Sequence, residues 1–197
     1  MIPGLVSIVT PTWGRYGKLL DRCVPSVAAQ TYPLVEHVIV SDGPDCDLAD
    51  VLPNHECQTF LQLDGHDPMA RWGHWARQRG LELARGEYIG YCDDDDKLLP
   101  EHCALLVAAL EANPGAGFAY GRALLGGGSV IGCDPPAYCN IGTPQMFHRR
   151  SILDVATWEQ SQPSIDWDLV DRWMRAGIGW VYVPETTCEI WPSAGGQ

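Results

Sequence analysis

Short apolar runs alternate along this chain with stretches whose apolar positions recur every three or four residues. Leu5 to Thr10 is a run rich in β-branched residues, closed by Pro11, and predicts a buried first strand. A loop, Thr12 to Arg15, follows. From Tyr16 to Gln30 the residues Leu19, Leu20, Cys23, Val24, Val27 and Ala28 share one helical face, and Pro25 predicts a local irregularity in that helix. His37 to Val40 predicts a second strand, ending at the turn residues Ser41-Asp42-Gly43-Pro44. Asp47 to Leu52 then predicts a short helix and Gln58 to Leu63 a third strand. Trp72 to Arg85 predicts a helix stopped by Gly86 as its C-terminal cap, and Glu87 to Cys92 a fourth strand.

The second half is looser. A helix is expected from Glu101 to Ala112, then short strands at Phe118 to Leu125 and Val130 to Cys133, joined as a hairpin through Gly126, Gly127 and Gly128. Ser151 to Trp158 and Trp167 to Ala176 predict two more helices, and Trp180 to Val183 a last strand. Buried strands alternating with amphipathic helices imply an α/β fold with a mainly parallel sheet covered on both faces. Ligands on such sheets bind beyond the carboxyl ends of the strands. The polar residues at those ends are Thr10, Thr12, Asp42, Asp45 and the run Asp93 to Asp96.

Composition narrows the partners. The 197 residues fit a single domain over 1–197, and the 46% hydrophobic and 19% charged fractions suit a globular chain. The formal charge of −12 argues against a nucleic-acid partner. No run approaches the roughly 20 apolar residues of a transmembrane segment, and Met1 leads into a strand without a basic-then-apolar leader, so a cytoplasmic location is expected. The eight cysteines contain no C-x-x-C pair, which favours buried thiols over disulfides or structural zinc.

Four adjacent aspartates after a buried strand call for an explanation, because crowded carboxylates repel one another and resist leaving water. One reading is a solvated acidic loop. The other is a divalent cation, Mn²⁺ or Mg²⁺, held by one or two carboxylates and completed by substrate phosphates. Position at the ligand-binding edge favours the second.

The ordered set of motifs resembles the family 2 inverting glycosyltransferases. Val6-Ser7-Ile8-Val9-Thr10-Pro11-Thr12, with Ser26 and Gln30-Thr31-Tyr32-Pro33, is similar to that family's first strand and helix. His37-Val38-Ile39-Val40-Ser41-Asp42-Gly43 is similar to its second strand. Ala76-Arg77-Gln78-Arg79-Gly80, then Ala84-Arg85-Gly86-Glu87-Tyr88-Ile89 and the acidic run, complete the match.

The resemblance implies a GT-A type nucleotide-diphospho-sugar transferase fold, with residues 1–100 binding the donor and 101–197 building the acceptor half. It implies a nucleotide-diphospho-sugar donor, UDP favoured over GDP or dTDP, and a sugar, lipid-linked or other hydroxyl acceptor. Asp95 and Asp93 become metal ligands and Asp94 a ribose contact. Asp42, by itself a turn-former, becomes the acceptor of a nucleobase hydrogen bond, with Thr10 and Pro11 walling the same pocket. Arg77, by itself a surface arginine, is placed against the nucleotide, where its guanidinium offers fixed donors.

Ser164-Ile165-Asp166-Trp167-Asp168-Leu169 resembles the family's Glu-Asp motif, with Ile165 in place of Glu, and puts Asp166 on the catalytic base. Asp166 also fits a helix N-cap, and Asp168 is the second choice for the base. His148, beside Arg149 and Arg150, either approaches the donor phosphates or sits on the surface. Trp13, Trp158 and Trp167 are candidates for a sugar-stacking platform. No histidine follows His148 to complete a metal site. A non-catalytic binding protein of the same fold is the rival reading, and a sugar nucleotidyltransferase lacks its glycine-rich loop after the first strand.

Overall fold

The computed structural model describes residues 1–44, 48–52, 57–66, 73–158 and 165–191. Its strands are β1 (Ile2–Thr12), β2 (Val35–Ser41), β3 (Gln58–Gln62), β4 (Gly86–Tyr91), β5 (Lys97–Leu98), β6 (Ala116–Leu125), β7 (Val130–Ile131), β8 (Met146–Arg149) and β9 (Gly179–Ile190). Among the described residues these make one sheet in the order β3-β2-β1-β4-β8-β6-β9-β5, with β7 on β6. β3, β2, β1 and β4 are mutually parallel. β8 runs antiparallel between β4 and β6, and β9 returns parallel to β6.

The first strands are apolar on both faces because both faces are covered. Val6 and Ile8 of β1 and Ile39 of β2 point into one core with Leu19, Cys23, Val24 and Leu106. Val9, Val38 and Val40 point into the other, with Ala76, Leu81, Tyr91, Trp158 and Trp173. The two-residue period of a strand thus sorts its side chains between two helical layers. Gly86 begins β4 and does not cap the preceding helix. A Cβ there would lie 2.6 Å from the Leu5 carbonyl oxygen and 2.7 Å from Ser7 Oγ, so glycine is required for close strand approach.

The helices are α1 (Tyr16–Lys18), α2 (Val24–Ala28), α3 (Leu48–Val51), α4 (His74–Leu83), α5 (His102–Ala112) and α6 (Ile165–Arg175). The expected helix over 16–30 runs without interruption through α1, a π-helical turn at Leu19–Cys23, and α2, and the π-turn is its expected irregularity. Pro25 follows the π-helical turn directly, with helical backbone continuous through Cys23 and Val24, so its missing N–H falls at the local irregularity that the sequence predicts. Trp72, where the helix before Gly86 is expected to start, lies outside the described residues.

The second half departs further from expectation. Ser151 to Trp158 is not a helix of that length: a short 3-10 turn, Arg150–Asp154, takes its place. There Arg150 donates to the carbonyls of Gly86 and Ala84 at 2.7 and 2.5 Å. β8 was not expected, and β9 runs well past Val183 because bulges in its pairing with β6 accommodate Pro184. Cys23, Cys92, Cys103 and Cys188 are buried thiols as expected, whereas Cys57 and Cys139 are exposed and Cys133 is partly so. Cys46 lies outside the described residues. No helix among the described residues is long and apolar enough to cross a membrane.

Candidate active site

The carboxyl ends of β1, β2 and β4 meet at one edge of the sheet, and the acidic run closes it. Asp93 to Asp96 form a tight turn in which the Asp96 N–H donates to the Asp93 carbonyl at 3.0 Å. The segment that follows is pinned from α2. Ser26 Oγ accepts from the Leu98 N–H at 3.2 Å, and Gln30 donates to the Leu99 carbonyl at 2.9 Å and accepts from the Cys103 N–H at 3.0 Å. Ser26 and Gln30, read as marks of the first helix, therefore position the acidic turn.

That turn is not a solvated loop. Asp94, Asp95 and Asp96 are only 5%, 4% and 3% exposed. Thr12 Oγ1 donates to Asp94 Oδ2 at 2.9 Å. Arg15 reaches Asp94 and Asp95 at 3.5 and 3.1 Å, and Lys18 reaches Asp95 at 3.1 Å. Arg22 donates to the Asp95 carbonyl at 3.2 Å, and Asp96 Oδ1 accepts from the Trp191 N–H at 2.8 Å. Burial pushes the Asp94 carboxyl up to about 7 despite Arg15 and Thr12, with Asp95 and Asp93 adding to the rise. Burial together with Asp93 and Asp95 pushes Asp96 up to about 9.

Arg77 is 3% exposed, which corrects the surface-arginine reading. Its guanidinium donates to Asp93 Oδ1 at 2.5 Å and lies 5.1 Å from the ring of Trp158. Burial works against its charge, but Asp93 and Asp166 more than offset this and hold Arg77 above its ordinary value. Asp166 belongs to the first turn of α6, one residue inside the helix start, so it is not the N-cap. Thr143 Oγ1 donates to Asp166 Oδ1 at 2.6 Å. Burial raises the Asp166 pKa, Arg77 and Thr143 oppose the rise, and Asp93 adds to it. The acidic run and Asp166, over 70 residues apart, thus share one electrostatic neighbourhood around Arg77.

Asp42 lies at the other side of the edge. Its N–H donates to the Thr12 carbonyl at 2.9 Å and its Oδ2 is 3.0 Å from His66 Nδ1. Pro11 packs against Gly73, where an added Cβ would come within 2.9 Å of Pro11 Cβ, and so joins β1 to the start of α4. The Thr10 hydroxyl is fully buried, 2.8 Å from His37 Nε2 and 3.3 Å from Cys23 Sγ, so Thr10 adjoins the edge through its backbone. Asp45 lies outside the described residues.

A match to the family model described as Glycosyl transferase family 2 covers residues 7–130. The chain belongs to this family. It is 27% identical over 121 residues to the GalNAc(5)-diNAcBac-PP-undecaprenol beta-1,3-glucosyltransferase of Campylobacter jejuni, covering 61% of this chain and 38% of that one. The fold matches TarS of S. aureus in complex with UDP-GlcNAc at a TM-score of 0.78, with 15% identity, over 98% of this chain and 60% of that one. It also matches the mannosyltransferase PcManGT of Pyrobaculum calidifontis in complex with GDP-Man and Mn²⁺ at 0.75, with 16% identity, over 97% and 58%. The chain spans less than two thirds of each of these proteins.

In this family 2 chain with a GT-A fold, the donor set at the acidic turn fits a hard divalent cation. The groups that would hold it offer carboxylate oxygens, and burial and mutual repulsion make positive charge favourable there. Among the described residues no three His, Cys, Asp or Glu groups converge as a complete metal site. None is needed for an ion that takes one or two carboxylates and fills its shell with phosphate oxygens.

Other expectations are corrected. His148 is fully buried, its Nε2 2.9 Å from the Tyr91 hydroxyl, with burial lowering its pKa to about 4, so it is neither on the surface nor at the donor. Trp158 is fully buried and edge-on to Tyr91, which excludes it as a sugar platform. Arg15, Lys18, His66 and Thr143 were not singled out in the sequence. The first two were findable as the cations directly after β1, while His66 and Thr143 belong to no pattern.

Proposed function

We propose that this chain transfers a sugar from a nucleotide-diphospho-sugar to an acceptor hydroxyl, with metal assistance and inversion at the sugar carbon. The observation that carries this reading is the buried Arg77, charged and shared between Asp93 of the acidic turn and the field of Asp166. It sets a site for negative charge release beside a carboxylate suited to take a proton.

In this reading Asp42 accepts a hydrogen bond from the nucleobase, Thr10 and Pro11 border that pocket, and Asp94 meets the ribose. Asp93 and Asp95 hold Mn²⁺ or Mg²⁺, which as a Lewis acid would neutralise the leaving diphosphate. Arg77 orders Asp93. Asp166, with its raised pKa and the Thr143 hydrogen bond fixing one oxygen, takes the acceptor proton as the hydroxyl attacks. One base and one displacement invert the anomeric centre. Residues 1–100 serve the donor and 101–197 the acceptor.

UDP is the favoured carrier, supported by the UDP-GlcNAc complex of the TarS neighbour. The undecaprenol-linked substrate named for the Campylobacter relative supports a lipid-linked acceptor. Titration calorimetry with UDP, GDP and dTDP, with and without Mn²⁺, tests the donor reading. Metal-dependent binding of one nucleotide, lost in Asp95→Ala, is expected. Metal-independent binding removes the metal from the reading, and no binding at all sinks it in favour of a non-catalytic chain. Proton NMR of the first transfer product reads the anomeric configuration.

A further inference from the structure

The turn after β2 is moulded onto a histidine that the proposed chemistry has not used. Gly43 has a φ of +120°, and a Cβ at that position would lie 2.9 Å from the His66 backbone nitrogen and 3.0 Å from its Cβ. Only glycine allows the chain to run this close with that backbone angle. The contact brings His66 Nδ1 to 3.0 Å from both the carbonyl oxygen and the Oδ2 of Asp42. A carbonyl oxygen only accepts, so Nδ1 carries the hydrogen and donates to both oxygens.

The imidazole is held from its face as well. The ring of Trp13, in the loop after β1, stacks on it with centroids 3.8 Å apart and planes 3° from parallel. Three loops at the carboxyl edge therefore converge on one imidazole. The Asp42 carboxylate it binds is almost fully buried, with a side-chain exposure of 5%, while His66 retains 32%. A buried carboxylate is a directional acceptor only if its rotation is stopped, and the Nδ1 hydrogen bond does that.

We propose that His66 is a positioning residue for nucleobase recognition: it locks the Asp42 carboxylate so that the oxygen not bound to imidazole accepts an N–H from the base of a nucleoside diphosphate. The inference rests on the donor-site reading given above and extends it to a residue outside that reading. It predicts a loss confined to the base. In the donor-site reading the diphosphate would be met at a different part of the edge, through the ion at Asp93 and Asp95.

The test is titration calorimetry of the whole chain with UDP, GDP, dTDP and inorganic pyrophosphate, all with Mn²⁺, on the wild type and on His66→Ala, His66→Asn and His66→Gln. His66→Ala is expected to weaken the best nucleoside diphosphate by about tenfold, as expected for one charge-assisted hydrogen bond, and to leave pyrophosphate unchanged. His66→Asn, whose amide nitrogen replaces Nδ1, recovers most of the affinity, and His66→Gln does not. If His66→Ala fails to fold, the Asn and Gln variants decide alone. Nucleotide affinity indifferent to all three substitutions, or an equal loss for pyrophosphate, overturns the assignment. A wild type that binds no nucleoside diphosphate overturns the donor-site reading itself, and this inference falls with it.

Discussion

Burial acts in opposite directions on two regions that lie only a few strands apart. At the end of β4 it raises the carboxyls of Asp94 and Asp96, to about 7 and about 9, so each resists losing its proton. On opposite faces of the sheet, in β8 and at the start of α5, it lowers the imidazoles of His148 and His102, each to about 4, so each resists gaining one. Both regions exclude charge, yet only the first is rimmed by Arg15, Lys18 and Arg77. The acidic edge is organised around positive charge, whereas each histidine is enclosed by aromatic rings, His148 by Tyr91 and Trp173 and His102 by Phe147. The difference separates a cluster of charged groups, the proposed donor site, from a core that merely packs.

Asp166 tests where that boundary lies, because it is supplied by the second half but titrates with the acidic edge. Asp166→Asn is expected to lower kcat by about a hundred- to ten-thousand-fold, the usual contribution of a general base, while donor affinity stays nearly constant. Steady-state transfer kinetics beside calorimetry measure both. A variant with undiminished turnover moves the base to Asp168, whose carboxylate is paired with Arg172 at 3.0 Å.

Arg77 is the cation that joins the two halves. Arg77→Ala leaves Asp93 and Asp166 without their shared counter-charge and is expected to cost roughly 3 to 5 kcal/mol of stability, as breaking a buried pair does. Urea unfolding measures this. An unchanged midpoint would show that the joined cluster has no structural weight, and the comparison above would reduce to two independent sites.

The pH dependence of stability sharpens the contrast, with signs opposed. A histidine whose folded pKa is depressed stabilises the fold above its unfolded pKa and loses that contribution as pH falls from about 6.5 to 4. A carboxyl whose folded pKa is raised stabilises below its unfolded pKa and loses the contribution as pH rises through about 7 for Asp94 and about 9 for Asp96. Between pH 4 and 6.5 the two trends oppose each other. Asp94→Asn combined with Asp96→Asn removes one of them. That variant is expected to lose about 2 kcal/mol per buried histidine between pH 7 and 5, while the wild type changes less. In metal-free buffer the wild type then weakens from pH 7 to 9 by more than the variant, which keeps only the smaller contribution of its buried thiols. Identical profiles for the two proteins would remove the opposition between the regions.

The same contrast marks how much the sequence discloses. β1, β2 and β4 were legible because Val6, Ile8, Ile39 and Ile89 sit in runs apolar on both faces, and parallel sheets covered on both sides demand that. The acidic turn was visible as a pattern, but its burial was not, since nothing local announces that Thr12, Arg15 and Lys18 fold over it. β8 was missed because Met146 to Arg149 is too short to show a period, and β9 was cut short because Pro184 reads as a strand end where the sheet makes a bulge. His148, directly before Arg149 and Arg150 in sequence, reads there as either a phosphate contact or a surface residue. Its burial depends on Tyr91 and Trp173, which are distant in the chain.

The smallest expected effect concerns Thr143, whose hydroxyl donates to Asp166 Oδ1 at 2.6 Å. The bond favours the carboxylate and so lowers the Asp166 pKa against the larger rise from burial. Thr143→Val removes the donor and keeps the shape. The Asp166 pKa should then rise, and a base must be deprotonated to act, so the acid limb of kcat/KM moves to higher pH. The loss at the optimum is a few-fold, on the order of 1 kcal/mol for one hydrogen bond, and Thr143→Ser restores it. A purely structural threonine would lower activity equally at every pH and would not be rescued by serine. A pH profile that shifts in Thr143→Val but not in Asp168→Asn therefore places the titrating base at residue 166, and with it the boundary between the charged edge and the neutral core.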